Sequence, residues 1–317
     1  MLNFINRKAL PFPVLYGLKA VNRTMRAAFT IASNRTHSGS AYLHSRVDEA
    51  IARTEEIYAH LAQVHPERRF SGRVAEIGPG DSIALGLELL ANGCEQVDLA
   101  DRFYSSREDA LQVAINKAMI EKHPQLRARL TDDTYTEDSF VGLTRYYGKS
   151  ASSEFFFDSH RGYDTILSNA VLEHVHDVAR SLRGMAMALH TGGYLIHQVD
   201  LRDHEMFTGS GRHPLSFLTL SDPMYGPFRW GGGPNRVPLS EYRRTLDELG
   251  MYYEIFPTIL VGNDEIYPSG TRFHDIPADK RSAAAKCVRE ALPKLRPRFK
   301  QDFDDLCVSS FTFVARK

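Results

Sequence analysis

The stretch Arg73-Val74-Ala75-Glu76-Ile77-Gly78-Pro79-Gly80-Asp81-Ser82 decides the fold. An apolar run that ends in a carboxylate, then two glycines around a proline, then a second apolar run, reads as strand, tight turn and helix. We place the strand at 72–77 and the helix at 83–92. Glycine adopts backbone conformations closed to other residues and lets a ligand come close to the chain. The helix start offers unpaired N–H groups and the positive end of its dipole. Glu76, at the strand end, is placed to meet a cationic group.

Working outward, further strands are expected at 96–100, 142–147, 163–169, 194–199, 252–261 and 309–315. Helical patterns lie between them at 45–63, 106–121, 178–189, 239–249 and 280–303. Ser45 with Asp48 reads as a helix start, Ser240 as a cap and Gly250 as a stop. Gly192-Gly193 reads as the end of one helix and the opening of the next strand. Strands alternating with helices imply an α/β fold, a doubly wound, mostly parallel seven-stranded sheet. Such sheets bind ligands outside the carboxyl ends of their strands. Residues 76–80, Asp101, 169–174 and 200–204 are therefore expected to meet around one pocket.

The chain has 317 residues, 43% hydrophobic and 25% charged, with 39 basic and 39 acidic side chains. That balance speaks against a nucleic-acid partner. The three cysteines lie far apart without metal spacing, as in a reducing compartment. No signal-peptide pattern or membrane-length apolar run is found, so the expected location is cytoplasmic. Residues 1–47 hold Arg7, Lys8, Lys19, Arg23, Arg26, Arg35 and Arg46 and no acid. A helix at 14–31 is expected either to pack on the main domain as a lid or to make weak contact with an anionic membrane surface. Residues 1–69 form an N-terminal helical extension, 70–317 the main domain, and 205–238 a loop-rich insert on the acceptor side.

A dinucleotide site needs a third glycine at position 83, where this chain has Ile83. The chain instead resembles class I S-adenosylmethionine-dependent methyltransferases. The resemblance rests on Glu76-Ile77-Gly78-Pro79-Gly80, Asp101, Ser168-Asn169-Ala170-Val171-Leu172-Glu173-His174-Val175, Gly192-Gly193-Tyr194-Leu195 and the closing strand 309–317. It implies a Rossmann-like methyltransferase fold and S-adenosyl-L-methionine as cofactor. Glu76 would meet the ammonium end, Gly78, Gly80 and Ser82 would line the turn, Asp101 would accept the ribose hydroxyls, and Asn169 would lie alongside. Ser82 stands where the family often has glycine. The family's acidic residue after the third strand is missing, and Ser150 or Ser152 takes that place against adenine.

More narrowly, the chain resembles bacterial methyltransferases acting on sugars of surface polysaccharides, through 172–175, Asp200-Leu201-Arg202-Asp203-His204 and 235–242. This implies O-methylation of a sugar or glycan hydroxyl. The alternatives are O- or N-methylation of a small natural product, and a catalytically silent cofactor-binding subunit. A hydroxyl acceptor must lose its proton, to a base or through a metal. His204 is the candidate base, oriented by Asp200 or Asp203, with His174 as its competitor. Glu173, His174, Asp200, Asp203 and His204 together also suit a divalent ion, although no spacing signature marks one. In the insert, Tyr225, Phe228 and Trp230 are expected either to stack on a sugar ring or to pack, and the arginines to hold an acceptor anion.

Overall fold

A computed structural model describes residues 11–317 except 34, 37, 38, 231 and 301, with the backbone alone at Ile31 and Trp230. Arg7 and Lys8 of the basic segment, and the Trp230 ring, therefore lie outside the described residues. In chain order the elements are α1 (Phe12–Ser33), β1 (Arg35–Thr36), α2 (Val47–Val64), β2 (Gly72–Ile77), α3 (Ala84–Ala91), β3 (Cys94–Asp101), β4 (Tyr104–Ser105) and α4 (Asp109–Lys122). Then follow β5 (Leu143–Tyr147), β6 (Tyr163–Asn169), α5 (Val178–Ala188), β7 (Leu189–Asp200), α6 (Asp222–Trp230), α7 (Leu239–Glu248), β8 (Tyr252–Leu260), α8 (Ala278–Ala291), α9 (Phe303–Leu306) and β9 (Val308–Arg316).

Seven strands form one sheet in the order β5-β3-β2-β6-β7-β9-β8, parallel except for β9, which runs against β7 and β8. The order reverses between β2 and β6, so a crevice opens at their carboxyl ends. Val74, Ala75 and Ile77 are all buried because helices cover both faces of this central strand.

Four local expectations fail. β7 begins at Leu189, ahead of the Gly192-Gly193 pair, and its register against β6 slips between Tyr163 and Thr165. A Cβ on Gly193 would stand 3.0–3.1 Å from the carbonyl oxygens of Asp164, His190 and Tyr163. The pair thus serves an irregularity inside a strand. The helix expected at 280–303 stops at Ala291 and continues as short turns, because Pro293 and Pro297 cannot donate backbone hydrogen bonds. The start of α2 is capped through Arg46 N–H, which donates to Glu49 Oε2 at 3.0 Å, and Pro238 rather than Ser240 precedes α7.

The N-terminal extension is stitched onto the sheet. β1 pairs in parallel with β4, Asp81 N–H donates to the Gly39 carbonyl at 3.0 Å, and Tyr42 N–H donates to the Asp81 carboxylate at 3.1 Å. α1 packs on α6, with Phe12 against Phe207 and Tyr16 against Phe228. It leaves Val14, Leu18 and Val21 exposed, and Met25 and Phe29, also exposed, at the mouth of the cavity described below. Lys19 and Arg23 are drawn partly inward, away from that apolar face. No described helix is long and apolar enough to cross a membrane.

Candidate active site

A cavity of about 680 Å³ opens above the β2–β6 crevice. Glu76, Gly78, Gly80, Ser82, Asp101 and Asn169 line it. α1 adds Asn22, Met25 and Arg26 to its wall.

The two glycines are fixed by different neighbours. Both have positive φ, 70° at Gly78 and 71° at Gly80. A Cβ on Gly78 would come within 2.5 Å of Val171 Cγ2, whereas one on Gly80 would collide with the carbonyl oxygen of Gly39. Gly80 is thus demanded by the chain's own N-terminal strap. Alanine at Gly80 is expected to destabilise the fold by about 2 kcal/mol or more, from left-handed backbone strain plus displacement of a backbone neighbour. A thermal unfolding midpoint matching the parent's would contradict this.

Ser82 is buried, and its Oγ accepts Ala84 N–H at 3.2 Å at the start of α3. Serine therefore replaces glycine with a helix-starting bond. Ile83 is 2% exposed and belongs to the core.

Glu76 is buried, and its Oε2 has no hydrogen-bond partner. Burial pushes its carboxyl up to about 8, against the pull of Arg145 and with a further push from Asp101. A buried carboxylate with a free oxygen facing a cavity is suited to a cationic group. Asp101 accepts Phe103 N–H at 3.0 Å and Gly80 N–H at 3.4 Å. Burial raises its carboxyl to about 6, opposed by the Phe103 amide and Arg145. These residues, two acids at adjacent strand ends around a glycine turn, fit the donor's ammonium and ribose without a phosphate cradle.

Ser150 is a correction. Gly148, with φ of 101°, turns the chain into a short 3-10 turn at Lys149–Ala151, which carries Ser150 to the exposed surface outside the cavity. Arg102 and Phe103, immediately after β3, line the cavity instead. Their position next to Asp101 was the available signal.

The strand ends do not share one pocket. Asp200, Asp203 and His204 line a second cavity of about 550 Å³, walled by the insert. His174 faces the first cavity, and Glu173 the second. The His174 and His204 rings meet edge to face, centroids 4.9 Å apart, at the boundary. Burial lowers His174 to about 4, helped by the nearby His204, and burial also lowers His204, opposed by Asp200. Both rings are neutral near neutral pH.

His204 Nε2 lies 3.8 Å from Asp200 Oδ2. Arg202 grips Asp200 through Nε at 2.9 Å and Nη2 at 2.7 Å. Burial works to raise the Asp200 carboxyl, and Arg202 overrides it, so it lies below the usual range. Asp203 does not orient His204. Its carboxylate accepts the amides of Phe207 at 2.7 Å and Thr208 at 2.9 Å and the Thr208 hydroxyl at 2.5 Å, capping a loop.

The expected sugar platform also changes. Tyr225 and Phe228 are buried, Tyr225 beneath the Arg236 guanidinium at 3.9 Å and Phe228 against Tyr16 and Phe207. Arg236 donates to the Phe217 and Leu220 carbonyls and to Asp222, so it braces the insert. Asn235 is the residue whose role sequence reasoning missed. Its N–H donates to the Glu173 carbonyl at 2.5 Å, and its Nδ2 to the carbonyls of Leu172 at 2.8 Å and Val175 at 2.9 Å.

The methyltransferase domain family matches residues 44–253. No curated protein sequence matches the chain. Among solved structures it is similar to the YcgJ protein of Bacillus subtilis, at 14% identity over 86% of this chain and 97% of that one, with a TM-score of 0.39. It is also similar to an S-adenosylmethionine-dependent methyltransferase from Mesorhizobium loti (12%, 86% and 100%, TM-score 0.40). A third is Haemonchus contortus phosphoethanolamine N-methyltransferase 2 in complex with S-adenosyl-L-methionine (16%, 88% and 59%, TM-score 0.41). With its seven-stranded sheet and its glycine turn between two buried acids, the chain belongs to the methyltransferase domain family and is an S-adenosylmethionine-dependent methyltransferase.

Proposed function

We propose that this enzyme methylates a hydroxyl of a sugar or glycan-like molecule held in the second cavity. The observation that carries the reading is the contact between His174 and His204 where the two cavities meet. The second cavity is lined by Asp200, Arg202, Asn235, Asn263 and Asp264, groups that suit a polyol's many hydroxyls. When bound, the donor supplies a methyl carbon on a sulfonium. Glu76 would hold its ammonium end and Asp101 its ribose, with the backbone at Gly78 and Gly80 passing close. A hydroxyl must give up a proton, and neutral His204, with Asp200 beside it, is placed to take it. Residues 12–69 would act as wall and lid of the first cavity, and 205–238 as wall of the second.

A second reading, methylation of a small natural product on O or N, is favoured by the apolar side chains Met25, Phe29 and Ile57 around the first cavity. Mass spectrometry on a panel of glycans and aromatic small molecules separates the two. A gain of one methylene on a glycan supports the first reading, and a gain confined to aromatic acceptors overturns it.

Cofactor affinity should depend on pH. A cation favours the ionised form of Glu76, whose carboxyl in the unliganded protein is pushed up to about 8. Below that value, binding must release a proton. S-adenosylhomocysteine affinity is therefore expected to rise as pH increases from about 6 to about 8, by up to about tenfold per unit. Calorimetry in buffers of different ionisation enthalpy reads that proton directly. Glu76→Gln should flatten the dependence, and a flat profile in the parent would refute the assignment.

A further inference from the structure

At the wall between the cavities, Glu173, His174 and His204 bring one carboxylate oxygen and two ring nitrogens within 4.8 Å of one another. Glu173 is wholly buried, and neither of its oxygens has a hydrogen-bond partner. The carboxylate sits near the backbone amides of Glu173 and Asp200 without reaching hydrogen-bond geometry. His204 Nε2 is likewise buried without a hydrogen-bond partner, Asp200 Oδ2 standing 3.8 Å away. Buried polar groups in native proteins are nearly always paired, so two orphans facing one another ask for a ligand. That ligand must accept lone pairs from a carboxylate and imidazoles together, which describes a cation.

The ligand turn is held in advance. Glu173 and His174 sit on the short 3-10 turn Leu172–His174, whose carbonyls Asn235 ties from the insert. His204 occupies a left-handed backbone, φ 49°, followed by Glu205 at 58°, a conformation that costs energy and aims the ring at the turn. Asp200 stays outside the set, engaged by Arg202.

We infer that Glu173, His174 and His204 bind one divalent transition-metal ion, zinc or an ion of like chemistry, at the wall shared by the two cavities. Two imidazoles and one carboxylate suit zinc, cobalt, manganese or iron, whereas calcium and magnesium prefer oxygen cages. Metal bonds of about 2 Å place tetrahedral ligand atoms about 3.3 Å apart, so the separations between ligand atoms shorten by at most about 1.5 Å on binding. Three protein ligands leave an open position for a further oxygen. With the ion bound, His204 is a ligand and no longer the free base, and coordination of the acceptor hydroxyl at the open position would take over the lowering of its pKa. That use rests on the proposed reading of the second cavity, whereas the ion site itself does not.

The test uses the untagged full chain, dialysed against a chelator and titrated with cobalt(II) while visible absorption is recorded. One equivalent should bind, giving the bands of a low-coordinate cobalt centre that zinc then bleaches. Glu173→Gln, His174→Ala and His204→Ala should each weaken cobalt binding at least about tenfold. Circular dichroism and thermal unfolding report that the variants are folded, and S-adenosylhomocysteine calorimetry is run on the parent. Absence of a stoichiometric cobalt band in the parent, or equal binding by all three variants, overturns the site. If S-adenosylhomocysteine still binds in that case, the methyltransferase reading survives and only the metal fails. Cobalt binding in a protein that methylates no glycan supports the site and sinks the acceptor reading.

Discussion

Asp101→Ala is expected to weaken S-adenosylhomocysteine binding by about a hundredfold, or about 2.7 kcal/mol. Asp101 closes β3 with its carboxylate on the cavity wall, beside the glycine turn. Two ribose hydroxyls donating to it would make two charge-assisted hydrogen bonds, each contributing about 1.5–3 kcal/mol. The carboxylate also accepts amides of Phe103 and Gly80, so alanine loosens the turn as well as the contact. Asp101→Asn separates the two effects, because an amide oxygen can still accept one donor while the charge is lost. Calorimetry should therefore rank the affinities parent, asparagine, alanine. Equal affinity for parent and alanine would remove Asp101 from the cofactor site.

His204→Ala is expected to lower kcat by about 10² to 10⁴ while leaving S-adenosylhomocysteine affinity unchanged. His204 lines only the second cavity, so its loss should spare donor binding. The pH profile refines the assignment. A base must be neutral to act, so kcat falls as pH drops through the pKa of His204. Asp200 holds that value up against burial. Asp200→Asn should then lower it and move the acid limb of the profile to lower pH, with a smaller loss at the plateau. An unchanged kcat in His204→Ala would transfer the role to another group. Steady-state kinetics at saturating acceptor measures both variants.

The sheet was legible because its central strands announce themselves. The expected ranges 72–77 and 163–169 match β2 and β6 residue for residue, since each carries an apolar centre, Val74-Ala75 and Ile166-Leu167, just after a glycine. The misread elements are those where side-chain pattern and backbone need diverge. Gly192-Gly193 looks like punctuation, yet it serves an irregularity that only the neighbouring carbonyls of β6 explain. The apolar pattern past residue 291 stays helical while two prolines interrupt its backbone.

The lining of the first cavity was legible for a similar reason. Glu76, Gly78, Gly80 and Asp101 are each fixed by one strand or turn. The acceptor side depends on contacts between distant segments. Nothing local to Asp203 reveals that its oxygens are taken by Phe207 and Thr208, and nothing local to Asn235 reveals its reach to 172–175. Two cavities were expected as one because sequence places strand ends in order without showing the wall between them.

Asn235 carries a consequence for how the two substrates sense each other. It belongs to the wall of the second cavity, yet its three hydrogen bonds hold the turn that presents His174 to the first. A molecule that shifts the insert therefore shifts the first cavity, through this strut as well as through Arg229 and Gly232, which line that cavity directly. Coupling of this kind is reciprocal: whatever factor the acceptor imposes on donor affinity, the donor returns to the acceptor. Cutting the strut with Asn235→Ala should weaken that exchange, and a double titration would read the loss as reduced cooperativity between the two sites.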